Sequence, residues 1–181
     1  MVPVQEAMPG LVAGTPRDAG PAALLDGARR EAMARAGRLL ATRSRTEAEI
    51  ARRLREAGFD EPVVDAAVDR LRALGLVDDE EFALQWIEER AERRKLSTRA
   101  LLHELQRKGV EREVAEAALA RAGLDEVAQA THLASGYVRR AASKPLREQA
   151  TRIQQMLSRR GYSHEVAEAA IRAVLPPEGW D

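Results

Sequence analysis

The chain has 181 residues, no cysteine, and 29 basic residues against 29 acidic ones, so its formal charge at neutral pH is zero. Disulfides, thiolate metal sites and cysteine nucleophiles are excluded, and no apolar run approaches the roughly 20 residues of a membrane span. Hydrophobic residues make up 45% of the sequence but aromatics only 3%. Much of that apolar content is alanine, which buries little area, so the cores must be thin and stability must come from helices packed unit upon unit.

Residues 1–21 contain Pro3, Pro9, Gly10, Gly14 and Pro16 and no basic start ahead of an apolar stretch. They are expected to form a disordered leader rather than a signal peptide, which places the protein in the cytoplasm. A first helix is predicted over residues 22–42, with Met33, Ala36, Gly37 and Leu40 on one face. Arg43-Ser44-Arg45 breaks it, and Thr46 and Glu49 have the spacing of a capping box for a second helix on Ile50, Leu54 and Ala57. Gly58 ends that helix by adopting the left-handed conformation that closes the last carbonyls, with Phe59 folding back on the last turn. Asp60 should cap the third helix, whose stripe is Val64, Ala67, Val68, Leu71 and Leu74.

Beyond Gly75-Leu76, Asp78 and Glu81 again have capping spacing. Phe82, Ala83, Trp86, Ile87 and Ala91 form the buried side of a long helix. Ser97 opens a helix on Leu101, Leu102 and Leu105, and another follows on Val114, Ala118 and Leu119, with Glu111 a poor cap before it. After Gly123 come Val127, Ala130, Thr131, Ala134 and Val138 on one face. Pro145 suits a first helical turn, Ile153, Met156 and Leu157 mark the next helix, and Ser163 caps the last, on Val166, Ala170, Ile171 and Val174. Pro176-Pro177 stops it, leaving residues 176–181 as a frayed tail.

These elements repeat. Leu54-Arg55-Glu56-Ala57-Gly58-Phe59 returns as Leu105 to Val110 and again as Leu157 to Tyr162, 51 and then 52 positions later. Ile50, Leu101 and Ile153 precede each leucine by four, and paired alanines follow it at Ala66-Ala67, Ala117-Ala118 and Ala169-Ala170. The expected fold is all-α, an elongated array of three tandem three-helix repeats over residues 22–75, 76–123 and 124–175.

Chemistry-bearing motifs are scarce. No phosphate-cradling or nucleophile-elbow glycine motif occurs, and His103, His132 and His164 never approach ligand spacing. Asp78, Asp79, Glu80 and Glu81 point in different directions on one turn and read as helix capping, not as a metal or acid–base site. No enzyme, metal or cofactor is expected. The basic residues carry more. In the third repeat Arg139, Arg140, Lys144, Arg147, Arg152, Arg159 and Arg160 are interrupted by one acid, Glu148. Arg93, Arg94, Lys95 and Arg99 form a second group at a junction between repeats, and Arg107 with Lys108 ends a helix. With aromatics so few, contact through these clusters would be to phosphate backbone without base readout.

Three stretches resemble the RecX family of bacterial regulatory proteins. They are Arg38-Leu39-Leu40 with Arg43 through Ile50, Leu74 through Ala83, and Glu104 through Val110. Asp78-Asp79 with Phe82-Ala83 is the most specific of these motifs, with a structural role expected. The family pattern carries a glycine near Leu96, where this chain has Lys95-Leu96-Ser97. The resemblance implies a monomer that binds the RecA recombinase filament and modulates it, usually by inhibition. It implies interference with ATP hydrolysis and strand exchange, contact with single- or double-stranded DNA, and a place in DNA repair and the SOS response. Two other readings are a DNA-binding regulator of helix-turn-helix units and a peptide-binding helical scaffold. The first needs base-reading side chains at the start of the second helices, which instead begin at Glu61, Glu111 and His164-Glu165.

Overall fold

A computed structural model describes residues 21–177, so the predicted leader up to residue 20 and the tail from residue 178 lie outside the described residues. Within them the chain is all helix: α1 (Pro21–Leu40), α2 (Glu47–Arg55), α3 (Glu61–Ala73), α4 (Asp79–Arg93), α5 (Thr98–Arg107), α6 (Arg112–Ala122), α7 (Glu126–Arg140), α8 (Leu146–Arg159) and α9 (His164–Val174). No strand occurs among the described residues, and none of their helices is long and apolar enough to cross a membrane.

Every extensive helix–helix contact falls within α1–α3, α4–α6 or α7–α9, and the buried side chains gather accordingly in three clusters. Each triplet of helices is thus a module with its own core. Ile50, Leu54, Val64 and Leu71 centre the first, Ile87, Leu101 and Leu105 the second, and Ile153, Leu157 and Ile171 the third. Small residues let the helices approach: Ala32, Ala36, Ala115, Ala118, Ala130 and Ala134 are all fully buried.

One turn is built three times. Gly58, Gly109 and Gly161 have φ of 87°, 85° and 89°. In each, the following residue donates its N–H back to the repeat leucine: Phe59 to Leu54, Val110 to Leu105 and Tyr162 to Leu157, at 3.1–3.3 Å. This pattern of paired bonds satisfies carbonyls that the helix end would otherwise leave open.

Five expectations fail locally. Ala57, assigned to the apolar face of the second helix, falls beyond its last turn and is exposed. Asp60 sits at the N-cap of α3, but its side chain makes no capping bond. Pro62 has no N–H to give it, and the Val63 and Val64 amides are taken by the Asp60 carbonyl. Leu74, the cap residue ending α3, has turned out of the stripe and is 47% exposed. Val127 is similarly exposed on the first turn of α7. Gly37 leaves the buried face of α1 to its neighbours Ala36 and Leu40.

Candidate functional site: the joints between modules

The three modules meet through a construction that occurs twice. Thr46, the N-cap of α2, accepts the Glu49 N–H and donates its hydroxyl to the Lys108 carbonyl of the second module. Ser97, the N-cap of α5, accepts the Ala100 N–H, and its own N–H donates to the Arg160 carbonyl of the third module at 3.0 Å. Both residues are fully buried. The first helical amide beyond each cap is also claimed from across the joint. Glu47 N–H donates to Asp79 Oδ1 (2.9 Å), and Thr98 N–H donates to Glu126 Oε1. Asp79 and Glu126 are the first residues of α4 and α7. Gly109 and Gly161 therefore each rest on a helix start of the preceding module. A Cβ on Gly109 would fall on the Ala48 methyl, and one on Gly161 would lie 2.6 Å from Ser97 Oγ and 2.7 Å from Ala100 Cβ. Gly58, in the first module, has nothing within 4 Å among the described residues.

The family motif Asp78, Asp79, Phe82, Ala83 is part of this frame. Asp78 Oδ1 accepts the Glu80 and Glu81 amides and caps α4. Phe82 and Ala83 are buried in the second cluster. Asp79 bridges to the first module. Burial pushes its carboxyl above the usual range, the Glu47 N–H opposes that, and the Glu47 and Asp78 carboxylates add to it.

The first joint has two charged flanks sharing the Ala48–Gly109 contact. One is a cleft of about 620 Å³ with Arg43, Arg52 and Arg53 on the first-module side and Arg107, Lys108, Glu104 and Trp86 on the other. At its edge Arg43 and Arg45 both donate to Glu49 Oε1, while Glu49 Oε2 is shut off from solvent without a hydrogen-bond partner among the described residues. Burial would raise the Glu49 carboxyl, but the two guanidiniums outweigh it and hold the group below its ordinary value. The other flank is acidic, with Glu47, Asp78, Asp79, Glu80, Glu111 and Glu113 around the cation of Arg72. A chain of zero net charge thus separates its charges across one joint.

Trp86, placed in the core by periodicity, is half-buried at the cleft. Its ring stacks on Phe82 (centroids 5.8 Å apart), its Nε1–H donates to Glu104 Oε2, and the Arg90 and Lys108 cations lie 4.1 and 4.8 Å from the ring centre.

The sequence-predicted basic residues are not gathered in one place. Arg107 and Lys108 line the first joint. Arg93 pairs with Glu89 (3.3 Å), Arg94 lies 3.8 Å from Glu104, and Arg99 is exposed at the start of α5. Lys95 takes a left-handed φ of 51°, and its carbonyl accepts the Tyr162 hydroxyl. In the third module Lys144 pairs with Glu148, while Arg147 and Arg152 share a shallow surface with Glu148, Thr151 and Gln155. Arg159 is exposed at the end of α8, and Arg160 donates back to the Met156 carbonyl. Arg139 and Arg140 end α7, and both guanidiniums lie back over Gly136, within 4 Å of where its side chain would be. Neither has a carboxylate in ion-pair range among the described residues. Arg43, Arg52 and Arg53 escape a reading of the sequence because alternating acids make them resemble ordinary surface pairs along a helix. Among the described residues no cluster of three or more His, Cys, Asp or Glu is placed to hold a metal ion.

Two sequence-family descriptions match this chain: "RecX, first three-helix domain" over residues 32–71 and "RecX, second three-helix domain" over residues 78–119. Full-length relatives agree with them. The regulatory protein RecX of Mycobacterium ulcerans is 44% identical over 148 residues, covering 78% of this chain and 83% of the relative. The chain belongs to the RecX family. RecX of Mycobacterium bovis is 38% identical over 151 residues, with 78% and 84% covered. The crystal structure of RecX from Lactobacillus salivarius shares the fold, with a TM-score of 0.76 at 21% identity, covering 82% of this chain and 97% of the other. Membership makes this a regulatory protein with an all-α repeat fold.

Proposed function

We propose that this RecX-family chain docks along a RecA recombinase filament and lowers its ATP hydrolysis and strand exchange, and so regulates DNA recombination and repair. The observation that carries the reading is the repeated joint. Three modules joined by one repeated construction form a repeating framework, which suits a polymer whose own protomers repeat. Phosphate binding in the third module falls to Arg139 and Arg140 at the end of α7, and to Arg147 and Arg152 on a separate surface of α8. The first two are adjacent cations without a carboxylate among the described residues, and an anion is what such a pair lacks. Arg93, Arg94 and Arg99 border the second joint in the same role. The contacts are to backbone and carry no sequence information.

The test is the DNA-dependent ATPase of the recombinase with purified protein added up to equimolar amounts. Hydrolysis is expected to fall. Unchanged hydrolysis with unchanged filament lifetime would overturn the reading. Replacing both Arg139 and Arg140 by Glu should weaken DNA or filament retention and lower the salt slope by about 1 for each phosphate no longer held, with helicity unchanged. A double variant that binds like the wild type would make the pair ordinary surface.

A further inference from the structure

The first joint concentrates more positive charge than its carboxylates can balance. Arg43 and Arg45 share one oxygen of Glu49. Arg52 and Arg53 both reach the single carboxylate of Glu56, at 3.1 and 3.0 Å. On the facing wall Glu104 is divided between Arg90 (3.4 Å), Arg94 (3.8 Å) and the Trp86 N–H. Among the described residues Arg107 has no ion-pair partner, and Lys108 rests on the Trp86 ring. Of these cations Arg43, Arg52, Arg53, Arg107 and Lys108 line a cleft of about 620 Å³ that holds only two carboxylates, Glu49 and Glu104. That volume lies within the roughly 300–1,000 Å³ of small-ligand sites. Cations on both walls of a cleft focus the field between them and draw in counter-ions.

We propose that this cleft binds a phosphate-dense anion that bridges the first and second modules. Guanidiniums suit phosphate because their paired N–H groups match two oxygens at once. Arg43, Arg52 and Arg53 would hold the anion from the first module, and Arg107 and Lys108 from the second. Trp86 offers no free face for a base, since Phe82 stacks on it and two cations cover it. Recognition is therefore by charge density, and the identity of any attached base is immaterial. A triphosphate group and a run of backbone phosphates present the same chemistry. The bound anion also fastens the joint, because both walls are tied at the floor by the Thr46–Lys108 hydrogen bond and the seat of Gly109 on Ala48. This site needs neither the recombinase nor the third-module cations, so it stands or falls separately from the function proposed above.

Trp86 supplies the readout. The chain's other tryptophan is Trp180, so the probe protein is the full chain carrying Trp180→Phe. It is titrated at low salt with inorganic tripolyphosphate, adenosine and guanosine triphosphates, and a twelve-residue oligothymidylate. Saturable change in Trp86 emission is expected, with the two nucleotides and tripolyphosphate within about threefold of one another. Response to the triphosphates alone supports the site as one for a small effector, and response that includes or is limited to the oligonucleotide supports it as a seat for strand phosphates. Arg107→Glu, at an exposed position on the cleft wall, should weaken binding at least tenfold. Arg35→Glu, at an exposed position on α1 outside the cleft, should leave it unchanged. No saturable response to any probe overturns the proposal. So does wild-type binding by Arg107→Glu, or an equal loss in Arg35→Glu.

Discussion

The first and second joints solve one problem with different fasteners. Both seat a glycine turn on a buried hydroxyl cap, and both feed a helix-start amide to a carboxylate from the next module. At the second joint the residue after the glycine is Tyr162, whose hydroxyl reaches back to the Lys95 carbonyl at 3.0 Å. At the first it is Val110, which packs in its own module and offers no polar group across. The second joint gains a latch, while the first leaves room for a charged cleft. The third module shows the same position in a different form. α2 and α5 begin three residues before Ile50 and Leu101, but α8 begins seven before Ile153. The extra turn puts Gln149 where Thr46 and Ser97 stand and sends its Nε2–H to the Lys144 carbonyl. Helix thus fills the place that a buried hydroxyl cap holds in the first two modules.

The sharpest break of the comparison is at the glycines. Gly58→Ala should cost about 1–2 kcal/mol, the strain of a left-handed alanine. Gly109→Ala and Gly161→Ala should each cost roughly 1–3 kcal/mol more, because the added methyl overpacks the joint. Denaturant unfolding measures all three, and equal losses would mean that the joint adds nothing to stability. Adding Ala48→Gly to Gly109→Ala should restore part of the loss, although a helical glycine itself costs about 1 kcal/mol. Ala100→Gly should not rescue Gly161→Ala, since Ser97 Oγ would still lie 2.6 Å from the new methyl.

That difference shows where sequence reasoning reaches and where it stops. The turns at Gly58, Gly109 and Gly161 are legible because a left-handed stop followed by an apolar residue is local chemistry. Thr46, Asp78 and Ser163 are legible as caps for the same reason. The period reveals copies, but a period does not say which surface of one copy meets the next. Thr46 and Ser97 look like caps and nothing more. The signal is that a hydroxyl recurs four residues before Ile50 and Leu101 and is replaced by Gln149 before Ile153. The charged flanks of the first joint stay hidden because zero net charge and alternating acids conceal a separation that only folding produces.

A smaller effect tests the latch. Tyr162→Phe removes the bond to Lys95 and its alternative to Gln129 Oε1 (3.2 Å), at about 1 kcal/mol. The same variant should remove a pH dependence. Burial pushes the Tyr162 phenol up to about 12, with the Glu126 carboxylate adding to this and Arg160 opposing it. A phenol raised on folding favours the protonated state, so its contribution is complete below about pH 10, the ordinary phenol value, and is lost as pH rises towards 12. Wild-type stability should fall across that window more steeply than that of Tyr162→Phe. Parallel curves would place the hydroxyl in solvent-like surroundings and leave the second joint no firmer than the first.

The smallest effect is expected at Lys95, the non-glycine residue with positive φ among those described. A left-handed φ of 51° is a conformation that glycine adopts without the strain of a side chain. Lys95→Gly should relieve strain of about 1–2 kcal/mol, offset by the roughly 0.5–1 kcal/mol that glycine loses in backbone entropy. The expected net is a stabilisation of no more than about 1 kcal/mol. Its dependence on Tyr162 carries the information. If the latch holds this residue in its strained form, the gain from Lys95→Gly should shrink when Tyr162 is Phe, because the residue is then free to leave the left-handed conformation. A double-mutant cycle with no coupling would separate the two and make the left-handed residue a matter of chain reversal between α4 and α5 alone.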